Sequence, residues 1–209
     1  MNERGMIFNG EMVRAILEGR KTQTRRPIKW KQTRFTEIGE REDGSNWPWS
    51  EDTEKVCDYW HPCPFGAVGD RIWVRETFGW QIRRDPVGGT GEFRVYRATT
   101  PDAVRYQTAS GEAAPMKWVP SIHMPRRASR ITLEITDVRV ERVQDISQRD
   151  AIAEGGPPDH PSFSKISQEM GFIDWPRSWF AQTWWGIYGR EAWNTNPWVW
   201  AITFRRIAA

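Results

Sequence analysis

The sequence is poor in cysteine and histidine and has no long apolar run. Two cysteines among 209 residues do not make a disulfide framework, which excludes the class of small secreted proteins held together by disulfides. No stretch approaches the roughly 20 apolar residues of a membrane-spanning helix. The first residues, MNERGMIFNG, lack the apolar core of a signal peptide. We therefore expect a cytoplasmic protein without a membrane partner.

The few cysteines and histidines allow two interpretations. Cys57 and Cys63 are either two reduced thiols, or they form part of a zinc site with His61 and a fourth ligand, His123 or His160. The spacing Cys-x3-His-x-Cys matches no standard zinc signature. The sequence therefore predicts reduced thiols and no cofactor, with zinc as the alternative.

Charge is unevenly distributed, although the net value is only +3. Residues 1–35 contain nine Lys or Arg and three Glu, whereas residues 36–60 contain eight acidic and two basic residues. This distribution favours a local positive patch over a uniformly basic surface. Such a patch is either a solvated face or a contact for nucleic acid.

Tryptophan, in contrast, is abundant, with 14 residues. Trp47, Trp49 and Trp60 lie in sequence that resembles loops. An indole can stack on a nucleobase, which contributes roughly 1–3 kcal/mol per base, or it can fill the interior of a small barrel. Packing is the expectation for each tryptophan taken singly.

A short amphipathic helix is predicted near the N-terminus. Asn9 suits the N-cap, and Gly19 suits a left-handed C-terminal cap. The apolar stripe of this helix consists of Met12, Val13, Ile16 and Leu17. The basic segment 20–27 then leaves the helix as a loop or extended chain, because Pro27 forbids further helix.

Alternation and caps predict the remaining elements. Strands are expected at 71–76, 93–98, 131–143 and 198–204, and helices at 147–154 and 175–188. The apolar series that begins at Ile131 changes parity near Thr136 and Asp137, which predicts a bulge. The tryptophans of the last helix recur at helical spacing, which is typical of a core-facing stripe.

These elements predict a single α+β domain over residues 1–209. Strands interspersed with three helices, without a regular βαβ rhythm, favour a mixed β-barrel over a Rossmann sheet. Long loop insertions are expected at 35–62, 77–92, 99–118 and 156–174.

The segment 19–26 carries the most chemistry. It places Lys21, two threonine hydroxyls and three guanidiniums in one short segment. Partial burial beside other cations would lower the pKa of Lys21, so that its amine could take the proton of Thr24. Nearby arginines could hold a phosphate or an oxyanion. A solvated basic turn is the structural alternative.

The order of motifs resembles the ASCH domains, which are relatives of PUA modules. The resemblance rests on G-R-K-T-x-T-R after an amphipathic helix, on the strand G-D-R-I-W-V-R-E, and on Ser-Ile-His-Met-Pro at 121–125. It continues through 131–143 and the last strand, W-x-W-x-I-x-F. The sequence looks especially similar to ASCH proteins encoded by prophages. The resemblance implies a PUA-like barrel in the cytoplasm of a bacterial host cell.

One branch of that family removes the acetyl group from N4-acetylcytidine. The resemblance to it implies catalytic roles for Lys21 and Thr24, and it nominates Glu154 on the helix after the long strand. Thr24 would attack the amide carbonyl with Lys21 as its base, and Glu154 would pass a proton to the departing amine. This chain is about twice as long as those enzymes, which leaves the substrate open.

Further residues are candidates for contacts with substrate or nucleic acid. They are Arg20, Arg25, Arg26, Trp73, Arg75, Glu76 and His123. Alternation puts Glu76 on the apolar face of its strand, where it needs a partner such as an arginine. Arg126 and Arg127 could contact phosphate.

The leading hypothesis is an amidohydrolase that acts on an acylated or modified pyrimidine base. The alternative is a module that binds RNA or DNA without catalysis, since PUA-like barrels often bind RNA and fold does not dictate function. A metal-independent ribonuclease and a phage morphogenetic protein are the remaining hypotheses. The expected partner is a modified nucleoside or a single-stranded nucleic acid.

Overall fold

The computed structural model describes residues 1–29, 37–52, 57–84, 89–108, 110–158, 165, 169, 171 and 174–207. The helices are α1 Gly10–Leu17, α2 Gln148–Ala153, α3 Trp175–Tyr188 and α4 Arg190–Asn194. The strands are β1 Glu3–Ile7, β2 Gln23–Pro27, β3 Glu37–Glu40, β4 Asn46–Asp52, β5 Cys57–Trp60, β6 Arg71–Arg75, β7 Phe78–Arg84, β8 Thr90–Tyr96, β9 Val104–Gln107, β10 Ala113–Pro115, β11 Thr132–Arg142 and β12 Trp198–Ile207. Strands outnumber helices, and the fold is mixed α+β.

The centre of the fold is a five-stranded sheet in the order β1-β6-β11-β12-β2. β1 and β6 are parallel, and the other neighbours are antiparallel. The ladder between β11 and β12 shifts register between Ile135 and Asp137, which confirms the predicted bulge. The bulge keeps the apolar side chains on both sides of the shift turned toward the core.

The sheet is open, which corrects the prediction of a closed barrel. In the described residues no backbone ladder joins its edge strands, β1 and β2. A side chain spans this gap instead, because Arg26 Nη2 donates to the carbonyl of Ile7 over 2.7 Å. The Arg26 guanidinium also lies 5.3 Å from the ring centre of Phe8, which follows β1. We call this junction the seam.

Strand β12, which lies between β11 and β2, is buried on both faces. Trp200, Ile202 and Phe204 belong to the main core between the sheet and α1, as the alternation predicted. Val199, on the opposite face, packs with Phe180 and other side chains of α3 in a second core. The aromatic stripe of α3 thus covers the outer face of the sheet.

The three predicted helices are present, and the two for which caps were predicted have those caps. The side chain of Asn9 accepts a hydrogen bond from Met12 N, and Ser147 accepts one from Asp150 N. Gly19 ends α1 with a φ of 76°, a left-handed conformation that favours glycine. The helix α4 was not predicted. No helix in the described ranges is long and apolar enough to cross a membrane.

Segments predicted as loop insertions contain strands. Strands β3, β4 and β5 lie in the predicted insertion 35–62 and form a three-stranded sheet. Strand β7 lies in the predicted insertion 77–92 and pairs with β8, which overlaps the predicted strand 93–98. In the first sheet Trp49 pairs with Trp60 across strands, and Trp47 lies 5.0 Å from Trp200 between ring centres. Both faces are partly covered, so the sequence lacks the alternation of a one-sided strand. Most of the predicted insertion 156–174 lies outside the described residues.

Stability should depend far more on Ile202 than on an exposed isoleucine. Ile202 is fully buried at the centre of the sheet, whereas the side chain of Ile122 is 60% exposed. We expect Ile202→Ala to lower the free energy of unfolding by about 2–5 kcal/mol through lost contacts and a cavity. The matched variant Ile122→Ala should change it by less than about 0.5 kcal/mol. Urea denaturation measures both, and similar losses would contradict this arrangement.

Candidate functional site

The backbone brings the segment after α1 against the end of α2. Beyond Gly19 the chain turns back, so that the amide of Lys21 donates to the carbonyl of Ala15. The amide of Thr22 donates to Ala153 O over 2.8 Å, and Lys21 pairs with Glu154 as an isolated β-bridge. Two segments 133 residues apart are therefore fixed against each other by main-chain hydrogen bonds.

Lys21 and Glu154 form a buried contact. The Lys21 Nζ donates to Glu154 Oε2 over 2.6 Å and to the Glu154 carbonyl over 2.8 Å. Burial lowers the pKa of Lys21 below its usual 10.5. The Glu154 carboxylate opposes this shift, and the guanidiniums of Arg26 and Arg25 add to it. The sequence predicted a lowered lysine pKa, and the direction agrees.

Arg25 sits between Glu154 and two further carboxylates. Its Nε donates to Glu141 Oε1 over 2.7 Å, and its Nη1 donates to Glu154 Oε1 over 3.2 Å. Its Nη2 lies 2.6 Å from Glu141 Oε1 and 3.3 Å from Asp150 Oδ2, but is aligned for a hydrogen bond with neither. The guanidinium is fully buried, so Arg25 serves the ion-pair network rather than an outside ligand.

The network continues to the surface through Asp150. Its Oδ1 accepts from the amide of Gln23 over 3.0 Å, and its Oδ2 lies 3.2 Å from Nη2 of half-exposed Arg139. Burial alone would raise the pKa of Asp150, but Arg25, Gln23 and Arg139 outweigh it and the pKa is lowered. Asp150 is therefore held as a carboxylate.

Thr24 is buried beside this network. It pairs with Ile202 in the ladder between β2 and β12. Together with Glu154, Arg26 and Trp179 it lines a narrow cavity of about 20 Å³, which is room for one water molecule. Within the described part of the chain the Thr24 hydroxyl has no hydrogen-bond partner, and neither has the buried Nε of Arg26. Two residues that line the narrow cavity thus each have an unused polar group.

A groove of about 530 Å³ adjoins the narrow cavity. Met12, Glu154, Trp179 and Thr183 line both spaces. The volume lies within the range of small-molecule sites, roughly 300–1,000 Å³. Half-exposed Arg20 lies on its wall, held by Glu18 Oε2 at 2.8 Å and by the carbonyl of Gly155 at 3.0 Å. Lys21, Thr24 and Glu154 therefore gather at or next to one concave space.

The other candidates lie on different elements. Glu76 forms a two-point ion pair with Arg130 at 2.9 and 3.0 Å, which confirms the predicted arginine partner. The Arg75 guanidinium donates to the carbonyls of Ser121 and Ile122 and lies 5.4 Å from the ring centre of Trp73. His123 is exposed in a short 3-10 turn. In the described residues no hydrogen bond or ion pair links this group to Lys21 or Glu154.

The observed contacts do not favour the zinc alternative. Cys63 is buried in the main core, and burial raises the pKa of its thiol to about 11. His61 Nε2 lies 2.9 Å from Ser50 Oγ. The side chain of Cys57 and all of His160 lie outside the described residues. Among those described, no three His, Cys, Asp or Glu side chains gather to hold a metal ion.

Sequence reasoning missed four residues of the site. Gln23, Glu141, Asp150 and Trp179 belong to the network or to the groove. Gln23 and Arg25 are two residues apart in β2, which is the spacing of one strand face. This alternation could have indicated that Gln23 lies on the same face as Arg25. It could not have indicated which residues the two side chains contact.

Comparison with known proteins adds one likeness. No family model matches the chain, and no curated protein matches it. A crystal structure of an ASCH domain from Lactobacillus crispatus resembles it over 98% of this chain and 79% of that one, with 11% identity and a TM-score of 0.36.

Arg25 should matter much more to stability than an exposed arginine in an ion pair. Arg25→Met leaves the Glu154, Glu141 and Asp150 carboxylates without their shared cation, so we expect a loss of roughly 3–5 kcal/mol. The control Arg205→Met removes an exposed partner of Glu134 and should cost about 0–1 kcal/mol. Equal losses in chemical denaturation would contradict a buried network.

Proposed function

We propose that the protein is an amidohydrolase that removes an acyl group from the exocyclic amine of a modified pyrimidine, of the N4-acetylcytidine kind. The observation that carries the proposal is the buried contact between Lys21 and Glu154 beside the groove, with the unused Thr24 hydroxyl in the adjoining cavity. Burial, a lowered lysine pKa and a neighbouring hydroxyl are the conditions for activating a nucleophile. The resemblance to ASCH motifs points the same way.

The Lys21–Glu154 pair can supply a base and an acid at once. An ammonium with a carboxylate holds the same number of protons as a neutral amine with a carboxylic acid. Burial lowers the pKa of Lys21, which favours transfer of its proton to the carboxylate that it contacts and so favours the second form. In that form Lys21 accepts a proton, and Glu154 has one to give.

The reaction then balances in two halves. Thr24 Oγ attacks the acyl carbon and its proton passes to Lys21, while Glu154 protonates the departing amine as the C–N bond breaks. The result is a free amine and an ester on Thr24. Water then attacks the ester, Glu154 takes a proton of the water, and Lys21 returns one to Thr24 as the carboxylic acid leaves.

Arg26 is our candidate for stabilising the tetrahedral oxyanion. Its Nε–H is buried and has no partner in the described part of the chain, and the Arg26 residue lines the Thr24 cavity. A donor that is already in place when charge develops on the oxygen lowers the barrier without reorganisation.

The volumes favour a small acyl group. The base would occupy the groove against Trp179, and only the acyl end would enter toward Thr24. The narrow cavity has room for about one water, so Met12 and Trp179, which line both spaces, must shift to admit even an acetyl group. A larger acyl group would require a larger shift.

Binding of RNA or DNA without catalysis is the second candidate function. The burial of Thr24 behind a narrow cavity favours it, because the groove could hold a base without any reaction. Release of acetate separates the two functions. A protein that turns over none of a panel of N4-acylated cytidines would be a binding module.

Substitution of the proposed nucleophile should stop the reaction. We expect Thr24→Val to abolish release of acetate from N4-acetylcytidine, and Lys21→Met to reduce it roughly 10²–10⁴-fold. Thr22→Val is the matched control, because this exposed threonine lies two residues away on the same segment. Thermal melts check that each variant folds. Unchanged turnover in folded Thr24→Val would rule out the covalent route.

The rate should fall at high pH as Lys21 and Glu154 lose the one proton that they share, because Glu154 then has no proton for the departing amine. Since burial lowers the pKa of Lys21, the midpoint of kcat/KM should lie below 10.5. The Arg26 cation contributes to the lowering, so Arg26→Gln should move the midpoint to higher pH. Arg20 does not contribute to the lowered pKa of Lys21, so Arg20→Gln should leave the midpoint unchanged. A midpoint that does not respond to Arg26→Gln would exclude Lys21 as the titrating base.

A further inference from the structure

The hairpin of β7 and β8 presents an aromatic and basic face that is not part of the groove lining. Trp80 pairs with Arg94 across the two strands, and the Arg94 guanidinium lies 5.0 Å from the ring centre of Trp80. The indole is nevertheless 40% exposed. Exposed tryptophan beside arginine is a pairing that suits a stacked base with its phosphate.

The segment 121–130 extends this face with further cations. Arg94 Nη1 donates to the carbonyl of exposed Arg127 over 2.9 Å, and Tyr96 Oη donates to Ala128 O over 3.0 Å. Arg75, on β6, is tied to the same segment through the carbonyls of Ser121 and Ile122. Hairpin, segment and β6 therefore form one continuous surface.

The positive charge of this surface is largely uncompensated. Two of its arginines are neutralised, Arg126 by Glu3 and Arg130 by Glu76. Arg75, Arg94 and Arg127 form no ion pair within the described ranges of the chain. Arg75 and Arg94 are oriented by backbone carbonyls, which fix a guanidinium without cancelling its charge. Such a surface attracts a polyanion.

We propose that Trp80, Arg94, Arg127 and Arg75 form a binding surface for single-stranded nucleic acid. One base stacks on the exposed indole of Trp80, and the arginines contact the flanking phosphates. A duplex fits poorly, since its bases are not free to stack on a side chain. The proposal is independent of the chemistry at Lys21, but it would make a polymer rather than a free nucleoside the natural ligand.

The test is fluorescence anisotropy with a labelled 12-nucleotide oligouridine, over a series of salt concentrations. We expect Trp80→Ala to weaken binding by at least about 5-fold, the lower end for loss of one stacked base. We expect Arg94→Gln/Arg127→Gln to reduce the slope of log K against log salt by about 1.4, which is two phosphate contacts on a single strand.

Matched controls exclude general effects. Phe93→Ala removes an aromatic of similar exposure from the other face of the hairpin, and should bind as the unmodified protein does. Arg149→Gln/Arg206→Gln also removes two positive charges, but outside the proposed surface, and should reduce the salt slope less than Arg94→Gln/Arg127→Gln. Trp80→Phe keeps a stacking ring, so binding should fall less than in Trp80→Ala. Circular dichroism melts confirm folding.

Several outcomes would overturn the proposal. The first is an equal loss of RNA affinity in Arg94→Gln/Arg127→Gln and in the control Arg149→Gln/Arg206→Gln. The second is equal affinity for a duplex and a single strand. The third is displacement of the RNA by polyglutamate at equal charge concentration. The last would indicate an acidic protein partner instead. Lys21→Met should retain full RNA binding, so failure of the catalytic proposal and failure of this one are separate results.

Discussion

The contact between the Lys21 amine and the Glu154 carboxylate fixes the relation between the N-terminal segment and the end of α2. It can form because Gly19 reverses the chain after α1, and because β2 is held in register on β12. Burial of these charges would be strongly unfavourable in isolation. The network offsets this cost because its three cations lie against three carboxylates. The cations are Lys21, Arg25 and Arg139, and the carboxylates are Glu154, Glu141 and Asp150.

Elements governed by local rules were predictable from the sequence. Caps at Asn9 and Ser147 and the parity change near Asp137 depend on neighbours within a few residues, and the structure has all of them. The stripe of α3 is present in part, since Phe180 and Trp184 are buried whereas Ile187 is 47% exposed. The strands within 37–60 depend instead on pairs such as Trp49 with Trp60, which lie on separate strands. A pattern along one strand contains little of that information.

The same limit applies to the site. The motif located Lys21, Thr24 and Glu154, but it treated Arg25 as a contact for ligand. Its burial follows from Glu141 and Asp150, which are more than 100 residues away and belong to elements whose packing a single sequence does not reveal. Asp150 looked like an ordinary residue of a helix start, and its second role appears only with Arg25 opposite it.

Arginine has two different uses in this molecule. Near β2 the guanidinium of Arg25 is enclosed by carboxylates, and its field is cancelled within the protein. On the hairpin face, Arg75 and Arg94 are held by carbonyl groups, and their field extends into solvent. The first arrangement tunes ionisation inside, and the second attracts anions from outside.

The seam between β1 and β2 has a mechanical consequence. Because a side chain rather than a ladder joins these edges, they can separate by breaking the Arg26 contacts with Ile7 and Phe8 while every strand pair of the sheet stays intact. Arg26 also lines the cavity that contains Thr24. The sheet can therefore open most easily at the seam, next to the cavity that a ligand must enlarge. The hydrogen-bonded strand pairs need not deform.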